Sequence, residues 1–485
     1  MNKAYLLVIL LIAILLPLNS QTFEERQKQI EEQFNAYKQK QEREYQAFYD
    51  RMNAQYADYL KRSWQKREMV KGVEKPKDET VPPVKYEGEE NIEHKQKAVV
   101  IEKSVVEPAP QPVIPEPVKP TIYRIQSFSF YGTQLECRYP DNKEIHISDI
   151  NPENIAAAWN IMSDESYYVM IHDCLQIRDS LKLCDWAFLG MLDSLAQGIY
   201  GRGNDATFVQ AYLFSKSGYA MRFGNLNNRL IMLVGCKHII SDASYIPMDG
   251  MNFYALGEDI YRVEISDAKF DGEKAIELSI SDNQNLMFNP TEKREIKSEL
   301  GVAVKCSVNH NLIDFFNAYP TPLVEFGNGY AIDWKLYAYT PLDKNVSEEL
   351  YSQLRNAIQG KDNLGAVNIL LNWVQTSFEY QYDDSVWGHD RAFFPSETLY
   401  YPYCDCEDRS ILFTRLVRDL LHLDVALVYY PGHLATAVKF NEQVNGDFIM
   451  ADGQRYIICD PTYIGAPVGL SMRMVRADLA QLFKL

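Results

Sequence analysis

Hydrophobic and aromatic residues follow a helical period over residues 22–70, a charged stretch that contains neither glycine nor proline. They are spaced 3-4-4-3-4-4-3 along one stripe, which consists of Phe34, Tyr37, Gln41, Tyr45, Phe48, Met52, Tyr56 and Tyr59. This is an 11-residue repeat, about 3.67 residues per turn, and it predicts a helix with little or right-handed supercoil. We therefore predict a long helix over residues 21–70, which is either a coiled-coil stalk for self-association or a single solvated helix.

The pattern before this helix is that of a targeting segment. Residues 1–20 hold an apolar run from Tyr5 to Leu16 that follows Lys3, which is typical of a secretory signal peptide. The run is shorter than the roughly 20 residues of a membrane span. We expect an exported protein, periplasmic or extracellular, with no stable membrane insertion after signal cleavage; an uncleaved anchor is the alternative.

Residues 71–121 are dominated by Glu, Lys, Val and Pro. Such a composition cannot bury enough apolar surface to become ordered, and its prolines favour extended polyproline II. We predict a Pro-rich disordered linker here, so that the globular part of the chain starts near Thr121.

Strand and helix patterns follow each other through the rest of the chain. Over residues 122–245, strand-like patches precede helical patterns and a hairpin signal at Asn227-Asn228, which predicts a mixed α/β domain. Residues 246–340 contain mostly strand patterns and predict a β-rich domain. Helical patterns return in residues 341–485, so the whole chain is expected to be of the α+β class.

A cysteine stands at the start of one helix predicted in the last of these segments. Residues 411–421 have a 3.6-residue hydrophobic period, which predicts an amphipathic helix that begins at Cys406. Asp405 is a suitable N-cap and Asp408 falls at N3, as in a capping box. A helix N-terminus lowers the pKa of a thiol, whereas two carboxylates in the same turn raise it, so the sequence leaves the net shift open.

Simple lengths bring a histidine back beside this cysteine. The helix from residue 406 to 421 rises about 24 Å at 1.5 Å per residue. The strand pattern that follows, residues 424–430, spans about 23 Å. A turn signal at Pro431-Gly432 comes next, and His433 follows it directly. The sequence therefore predicts a thiol–imidazole pair.

The third candidate is Asp460, whose carboxylate would orient the imidazole of His433 and stabilise its charged form. A plain meander of strands at residues 433–440, 447–451 and 455–459 would leave Asp460 at the far end of the sheet. Asp460 reaches His433 only if residues 441–454 form an excursion or a local hairpin, which the spacing alone does not establish.

Three sequence blocks resemble the transglutaminase-like superfamily of papain-fold enzymes. They are Tyr-Pro-Tyr-Cys-Asp-Cys-Glu-Asp-Arg-Ser-Ile-Leu-Phe from residue 401, Gly-His-Leu-Ala-Thr-Ala-Val from residue 432 and Cys-Asp-Pro-Thr from residue 459. The resemblance covers about residues 346–470. It implies a nucleophile at Cys406, a base at His433, an orienting carboxylate at Asp460 and the family's acidic position at Asp408.

The same blocks depart from the family pattern at three places. Cys404 replaces the usual glycine, Ser410 replaces the small alanine, and Leu-Ala follows His433 where Ala-Trp is frequent. Cys404 is either a bystander or a redox partner of Cys406. The three blocks imply a papain-like fold, but protease, amidase and crosslinking enzyme share this triad.

The resemblance implies a catalytic domain over residues 341–485. It would be an exported thiol enzyme that acts on amide bonds of proteins or peptides through an acyl-thioester, with hydrolysis favoured over crosslinking. The alternative is a catalytically inactive module for binding or assembly at the cell surface, and a redox protein is a third hypothesis. Residues 204–224 loosely echo residues 406–430, so the segment 122–245 is either a degenerate copy without its cysteine or an unrelated unit.

Composition removes some partners and leaves one role open. A net charge of −17 and a pI near 5.0 argue against nucleic acid. The eight cysteines are too few for a disulfide scaffold. His389 and Asp390 lack partners at ligand spacing, so we predict no metal and no cofactor. An oxyanion hole needs the backbone N–H of Cys406 and a side chain, for which Gln381, Trp387 and His389 are the candidates.

Overall fold

The structure of the chain is a computed structural model that describes residues 23–62, 64–75, 81–88, 93–103, 105–117, 121–141, 145–326 and 329–485. The signal peptide predicted for residues 1–20 lies outside these ranges. The fold is mixed α+β and contains a long N-terminal helix, as the hydrophobic pattern predicts. No helix of the described part is both long and apolar enough to cross a membrane.

The helices are numbered in chain order. They are α1 (Phe23–Leu60), α2 (Pro152–Met162), α3 (Tyr168–Leu181), α4 (Asp185–Tyr200), α5 (Asn204–Lys216), α6 (His310–Asn317), α7 (Trp334–Tyr339), α8 (Lys344–Ile358), α9 (Asn363–Ser377), α10 (Asp383–Val386), α11 (Pro395–Tyr400) and α12 (Cys406–Leu421).

The strands are numbered in the same way. The first half of the chain contains β1 (Gln65–Glu68), β2 (Val84–Lys85), β3 (Lys95–Gln96), β4 (Ala98–Ile101), β5 (Tyr123–Phe130), β6 (Thr133–Pro140), β7 (Met221–Leu226), β8 (Arg229–Cys236), β9 (Ile239–Ile240), β10 (Tyr245–Met248) and β11 (Met251–Tyr254). The second half contains β12 (Arg262–Ile265), β13 (Arg294–Lys297), β14 (Ala303–Cys306), β15 (Pro322–Phe326), β16 (Gly329–Ile332), β17 (Glu379–Tyr380), β18 (Tyr403–Cys404), β19 (Asp424–Tyr430), β20 (His433–Lys439), β21 (Phe448–Ala451), β22 (Gln454–Cys459), β23 (Tyr463–Ile464) and β24 (Ala480–Lys484).

The long helix α1 is joined to the globular body by its C-terminal half. The face that it buries consists of Tyr49, Asn53, Tyr56, Ala57 and Leu60. Tyr56 stacks on Phe270 with ring centroids 4.2 Å apart, and the Lys216 amine donates to the Asn53 side chain at 2.6 Å. The helix ends at Leu60, ten residues before the predicted end, because Gln65–Glu68 pairs with β12 as an edge strand.

The N-terminal sheet has six strands in the order β1-β12-β7-β8-β11-β10. β7 and β8 form the predicted hairpin, and both of its turn residues, Asn227 and Asn228, have positive φ. β10, β11 and β12 belong to this same sheet. The predicted boundary between residues 122–245 and 246–340 is therefore wrong, because it cuts through one sheet. The hydrophobic pattern predicted the strands but not which strands pair with each other.

The C-terminal sheet has the order β3-β21-β22-β20-β19-β24-β4. Its two edge strands, β3 and β4, are consecutive in the chain and are separated only by Lys97. Residues 95–101 thus pair with both edges of the sheet and close it into a barrel. The residues that pack against one another in this part of the core include Ala426, Val428, Ala435, Ala437, Ile449, Ile458 and Leu482. Helix α12 packs on β19 and β20.

The segment 71–121 is not a free linker, and the prediction of disorder is wrong for its described residues. β2 pairs with β23, and β3 and β4 close the barrel. Farther along, the backbone carbonyl of Pro110 accepts a hydrogen bond from buried Arg178 at 2.8 Å. These residues bury little surface of their own but supply backbone hydrogen bonds to exposed sheet edges. Composition alone therefore does not predict that they are ordered.

Candidate active site

The helix that carries the candidate nucleophile begins where the sequence predicts. The Asp405 side chain accepts from the backbone N–H groups of Glu407 and Asp408, at 3.1 and 3.4 Å. The Asp408 carboxylate accepts from the Asp405 N–H at 3.2 Å, which completes the capping box. Cys406 is consequently the first residue of α12. Asp408 also accepts from the Phe393 N–H at 2.7 Å, so it fixes the preceding loop.

Helix α12 is fastened to the strand that carries the histidine. The Ser410 hydroxyl donates to the Leu434 carbonyl at 2.9 Å, and the Leu434 N–H is the backbone group that lowers the pKa of the Cys406 thiol. Serine at position 410, a departure from the family pattern, therefore has a structural reason. These two contacts place the Cys406 thiol next to the start of β20, whose first residue is His433.

The histidine and the aspartate of the predicted triad are in direct contact. His433 Nε2 lies 2.9 Å from Asp460 Oδ2, and both residues are fully buried. Because a carboxylate only accepts, Nε2 is the donor in this contact. His433 Nδ1 is buried and makes no hydrogen bond, to the sulfur of Cys406 included. Nδ1 is thus the ring nitrogen that is left for another partner.

The local hairpin that Asp460 needs is present. β21 and β22 pair with each other across residues 448–459, and β22 returns directly beside β20. The second oxygen of Asp460 accepts from the N–H groups of Thr462 and Tyr463, at 2.9 and 3.2 Å. Asp460 therefore both orients His433 and holds its own turn, two roles that the sequence presented as alternatives.

Gln375 is a residue of helix α9, and it binds the loop that follows Asp460 to this helix. Its buried side-chain amide donates to the backbone carbonyls of Asp460, Tyr463 and Ala466, at 2.7–3.0 Å. The sequence analysis missed this residue. A glutamine in an otherwise apolar helical pattern was the available signal.

The segment 81–103 reaches the site from the N-terminal side. The Val81 N–H donates to the carbonyl of Gly432, the residue before His433, at 2.8 Å. The Tyr430 hydroxyl donates to the Gln96 side chain at 2.7 Å, and the Tyr430 ring stacks on the His433 imidazole at 6.3 Å. The segment therefore helps to position the histidine.

Burial and acidic neighbours keep the Cys406 thiol protonated. The side chain is only 7% exposed. Burial raises the pKa of Cys406 well above its usual value, and the charges of Asp405, Glu407 and Asp460 raise it further. The Leu434 N–H lowers this pKa but does not offset the other effects. The balance that the sequence left open thus favours the neutral thiol.

Four carboxylates converge beside the start of α12. Oxygens of Asp383, Asp390, Asp405 and Glu407 all lie within 4.8 Å of one another. The sequence argument that Asp390 lacks partners is wrong, because the partners come from separate segments of the chain. Ligand oxygens on opposite sides of a Ca²⁺ ion lie roughly 5 Å apart, since each Ca–O distance is about 2.3–2.6 Å. These four groups could therefore supply oxygen ligands to a cation of that size.

The carboxylates of this group hold their protons unusually tightly. Burial and mutual repulsion raise the pKa of Asp383 to about 9 and that of Asp405 to about 7. The pKa of Glu407 is raised well above its usual range by the same causes. One Glu407 oxygen accepts from the Trp334 indole N–H, while the other is buried without a partner. Ionisation of these carboxyl groups at neutral pH therefore costs free energy.

The best side chain for an oxyanion hole is one that the sequence analysis missed. The Tyr380 hydroxyl is buried and has no hydrogen-bond partner. Burial raises the pKa of Tyr380, and the nearby Cys406 is the next largest cause. β17 holds Tyr380 beside Cys404, two residues before the nucleophile. A buried hydroxyl donor next to the sulfur is suited to a developing oxyanion.

The three oxyanion candidates chosen from the sequence are differently placed. The Gln381 amide donates to Glu379 at 2.9 Å, and His389 is largely exposed. The Trp387 indole N–H is buried without a partner, but its ring packs against Phe393 and Tyr401. Phe393 and Phe394, which follow Trp387 in the chain, are core residues.

The two neighbouring cysteines face different surroundings. Burial raises the pKa of Cys404 to about 12, and Arg409 is the charge that lowers it. Cys406 lies instead among the Leu434 N–H and three carboxylates. Both thiols are free. Cys404 and Cys406 are therefore separate thiols rather than a disulfide.

Comparison with known proteins adds no identity, since no protein-family model, curated protein or solved structure matches the chain.

Proposed function

We propose that this protein is a thiol enzyme of the transglutaminase-like kind that acts on amide bonds of proteins or peptides. The observation that carries the proposal is the buried 2.9 Å contact between His433 and Asp460 beside the helix that begins at Cys406. A buried imidazole that is oriented by a carboxylate on one side and unpaired on the other is the arrangement that activates a nucleophile.

The reaction would proceed in two steps. The Cys406 sulfur attacks the amide carbonyl carbon while its proton passes to His433 Nδ1, so a C–S bond forms and an imidazolium stands beside Asp460. The imidazolium then gives the proton to the leaving amine as the C–N bond breaks. Water, deprotonated by the neutral imidazole, attacks the acyl-thioester and releases the carboxylic acid and the free thiol.

Two donors would stabilise the oxyanion of the first step. The Cys406 backbone N–H is at the start of a helix, where such groups have no intrahelical partner. The Tyr380 hydroxyl is the second donor, because it is buried next to the sulfur and otherwise unpaired.

The raised pKa of the thiol determines how the enzyme works. The resting enzyme holds the protonated Cys406 thiol instead of a preformed thiolate. The proton therefore moves only as the substrate carbonyl is attacked, which is general-base catalysis of the kind that serine enzymes use.

Hydrolysis and crosslinking share the acyl-thioester and differ in the nucleophile that resolves it. The test is to incubate the exported chain with an unfolded protein substrate, with and without cadaverine, and to identify the products by mass spectrometry. We expect new carboxyl and amino termini without cadaverine adducts. The Cys406→Ala chain should give no product and the Cys404→Ser chain should retain activity. Loss of activity in Cys404→Ser would favour the redox hypothesis.

An inactive binding module is the second candidate, and one observation favours it. Cys406 is nearly inaccessible and its pKa is raised, as is typical of an inert structural cysteine. This alternative expects no product in any condition and equal ligand binding by the wild-type and Cys406→Ala chains.

A further inference from the structure

The two large sheets of the protein have the same strand order. Starting from one edge, the N-terminal sheet is β1-β12-β7-β8-β11-β10, and the C-terminal sheet is β4-β24-β19-β20-β22-β21 before it closes through β3. The strands β7-β8-β11-β10 of the first sheet and β19-β20-β22-β21 of the second are all antiparallel and connected alike, as two successive hairpins. In both units a helix precedes the first hairpin and packs on it, α5 in one and α12 in the other.

The likeness extends to the position of the nucleophile. Asn204 is the first residue of α5, as Cys406 is of α12. The second residue of β8, Leu230, donates its N–H to the Asn204 side-chain oxygen at 2.9 Å. The second residue of β20, Leu434, has the backbone N–H that lowers the pKa of the Cys406 thiol. Asn204 and Cys406 thus face the backbone N–H of the same strand position in the two units.

The remaining triad positions have lost their chemistry. Arg229 is the first residue of β8, where His433 is the first residue of β20. The register of β8 and β11 continues to place Gly257 where Asp460 stands. Glu258, one residue later, forms a bidentate ion pair with Arg229. An asparagine, an arginine and a glycine cannot perform nucleophilic catalysis.

A cleft remains at this position. It has a volume of about 520 Å³, and its lining residues include Trp186, Asp193, Asn204, Thr207, Arg229 and Glu258. Trp186 and Asp193 are seven residues apart on α4, which is two turns and places them on the same face of the helix. A volume of this order is typical of a ligand site.

The charge in the cleft is negative. Glu258 and Arg229 neutralise each other. Asp193 accepts only from the neutral side chain of Gln197, at 2.7 Å, and forms no ion pair with a cation of the described residues. A carboxylate and an indole ring on one helix face suit a primary ammonium or a guanidinium, because both groups attract a cation.

We propose that the N-terminal unit is a non-catalytic copy of the C-terminal unit and that its cleft binds an extended polypeptide through a lysine or arginine side chain. The cation lies between Asp193 and Trp186. This inference rests on the proposed function for the choice of polypeptide as ligand class, because a copy of a peptide-processing cleft retains the shape of its substrate.

The test measures peptide binding by the full chain with Cys406→Ser, so that no acyl chemistry occurs. The probe is Ala-Ala-Lys-Ala-Ala-amide with fluorescein on its N-terminal amine, and fluorescence anisotropy gives its affinity. The comparison peptide carries acetyl-lysine, which keeps the length and removes the charge. Asp193→Asn is the test variant, and Glu136→Gln, an exposed carboxylate on β6, is the matched control.

We expect the acetyl-lysine peptide and the Asp193→Asn chain each to bind about three- to fivefold more weakly, the usual size of a partly exposed charge pair. Glu136→Gln should bind as the parent does. Arg229→Gln should bind the lysine peptide more tightly, since it frees Glu258. Equal binding of both peptides, or no effect of Asp193→Asn, would overturn the inference.

The two proposals fail separately in this design. Peptide binding by the Cys406→Ser chain, together with no product in the activity test, would overturn the proposed enzyme activity and support the peptide-binding cleft. Product formation without charge-dependent binding would overturn the peptide-binding cleft and support the enzyme activity.

Discussion

At the residue scale, the site combines a well-oriented base with a thiol that is hard to ionise. His433 is fixed on one side by Asp460 and stacked on Tyr430. Cys406 is surrounded by carboxylates that oppose a thiolate. Catalysis by Cys406 would therefore depend on proton transfer during attack, and the residues that help most in that step are the oxyanion donors.

Tyr380→Phe separates catalysis from stability. Removal of one oxyanion donor costs about 10²-fold in kcat. The same change removes a buried hydroxyl without a partner, so the free energy of unfolding should rise by about 1 kcal/mol or stay unchanged. Steady-state kinetics and urea denaturation measure the two effects.

The matched control for that variant is Tyr382→Phe, on the same short segment. A loss of kcat equal to that of Tyr380→Phe in this control, or an unchanged kcat in Tyr380→Phe, would remove Tyr380 from the mechanism.

Local lengths in the sequence predicted the elements that carry the candidate site. The helix that begins at Cys406 and the strand that precedes His433 are both where the pattern placed them. Asp460 needed an additional hairpin that the pattern left open. Tyr380, Gln375 and Asp383 were not identified, since packing over long sequence separations brings them to the site.

At the element scale, the start of α12 brings together carboxyl groups whose pKa values are raised. Native Asp383 and Asp405 bind protons more tightly than they do in the unfolded chain, because their pKa values are raised to about 9 and 7. Stability therefore falls as the pH rises from about 4 through these values, where the unfolded chain has already lost its protons.

Asp383→Asn should weaken this pH dependence. The variant keeps the shape of the side chain and removes one charge from the group. We expect the free energy of unfolding at pH 9 to exceed that of the wild-type chain by at least about 1 kcal/mol, with a smaller difference at pH 4. Denaturation at pH 4, 7 and 9 tests this, and Asp452→Asn, an exposed carboxylate of β-hairpin 448–459, is the control. If the free energy of unfolding of Asp383→Asn changed with pH as that of the wild-type chain does, Asp383 would not be responsible for the pH dependence.

The strand β4 gives a second test at this scale. Val100 packs against the core of the C-terminal barrel, whereas neighbouring Val99 is 65% exposed. Val100→Asp should cost about 2 kcal/mol or more, since it buries an unpaired charge. Val99→Asp should be neutral within about 0.5 kcal/mol. Equal effects of the two changes on urea denaturation would mean that residues 95–101 do not close the barrel in solution.

Element types were easier to predict than the surfaces that they bury. The pattern left open whether the aromatic stripe of α1 faces a partner or solvent, and of its members Tyr37, Tyr45, Phe48 and Tyr59 are exposed. The buried face includes Asn53 and Ala57, which no hydrophobic pattern selects. Self-association through residues 22–70 stays a prediction.

At the scale of the whole molecule, the protein is built from two similar units with the long helix attached to the first. The domain boundaries drawn from composition failed wherever a polar or proline-rich segment pairs with a distant strand. Backbone pairing does not depend on side-chain hydrophobicity, so composition carries little information about it.

Truncation of α1 tests how the helix is attached. Deletion of residues 21–44 should leave the midpoint of thermal unfolding within about 2 °C of the full chain, because the side chains of residues 27–44 are mostly exposed. Deletion of residues 21–62 should lower it by several degrees, since it removes Tyr56 from Phe270 and Trp159. Equal midpoints for both truncated chains would show that α1 is a detached stalk.

The formation of an acyl-thioester on Cys406 tests the central claim most directly. The purified chain is mixed with p-nitrophenyl acetate, the release of nitrophenolate is followed at early times, and peptide mass spectrometry locates the acetyl group. We predict a burst with the acetyl group on Cys406, slowed about 10²–10⁴-fold in His433→Ala and slowed less in Asp460→Asn. Acetylation of Cys406 that is unaffected by His433→Ala, or no faster than that of Cys184 in the N-terminal unit, would contradict the account.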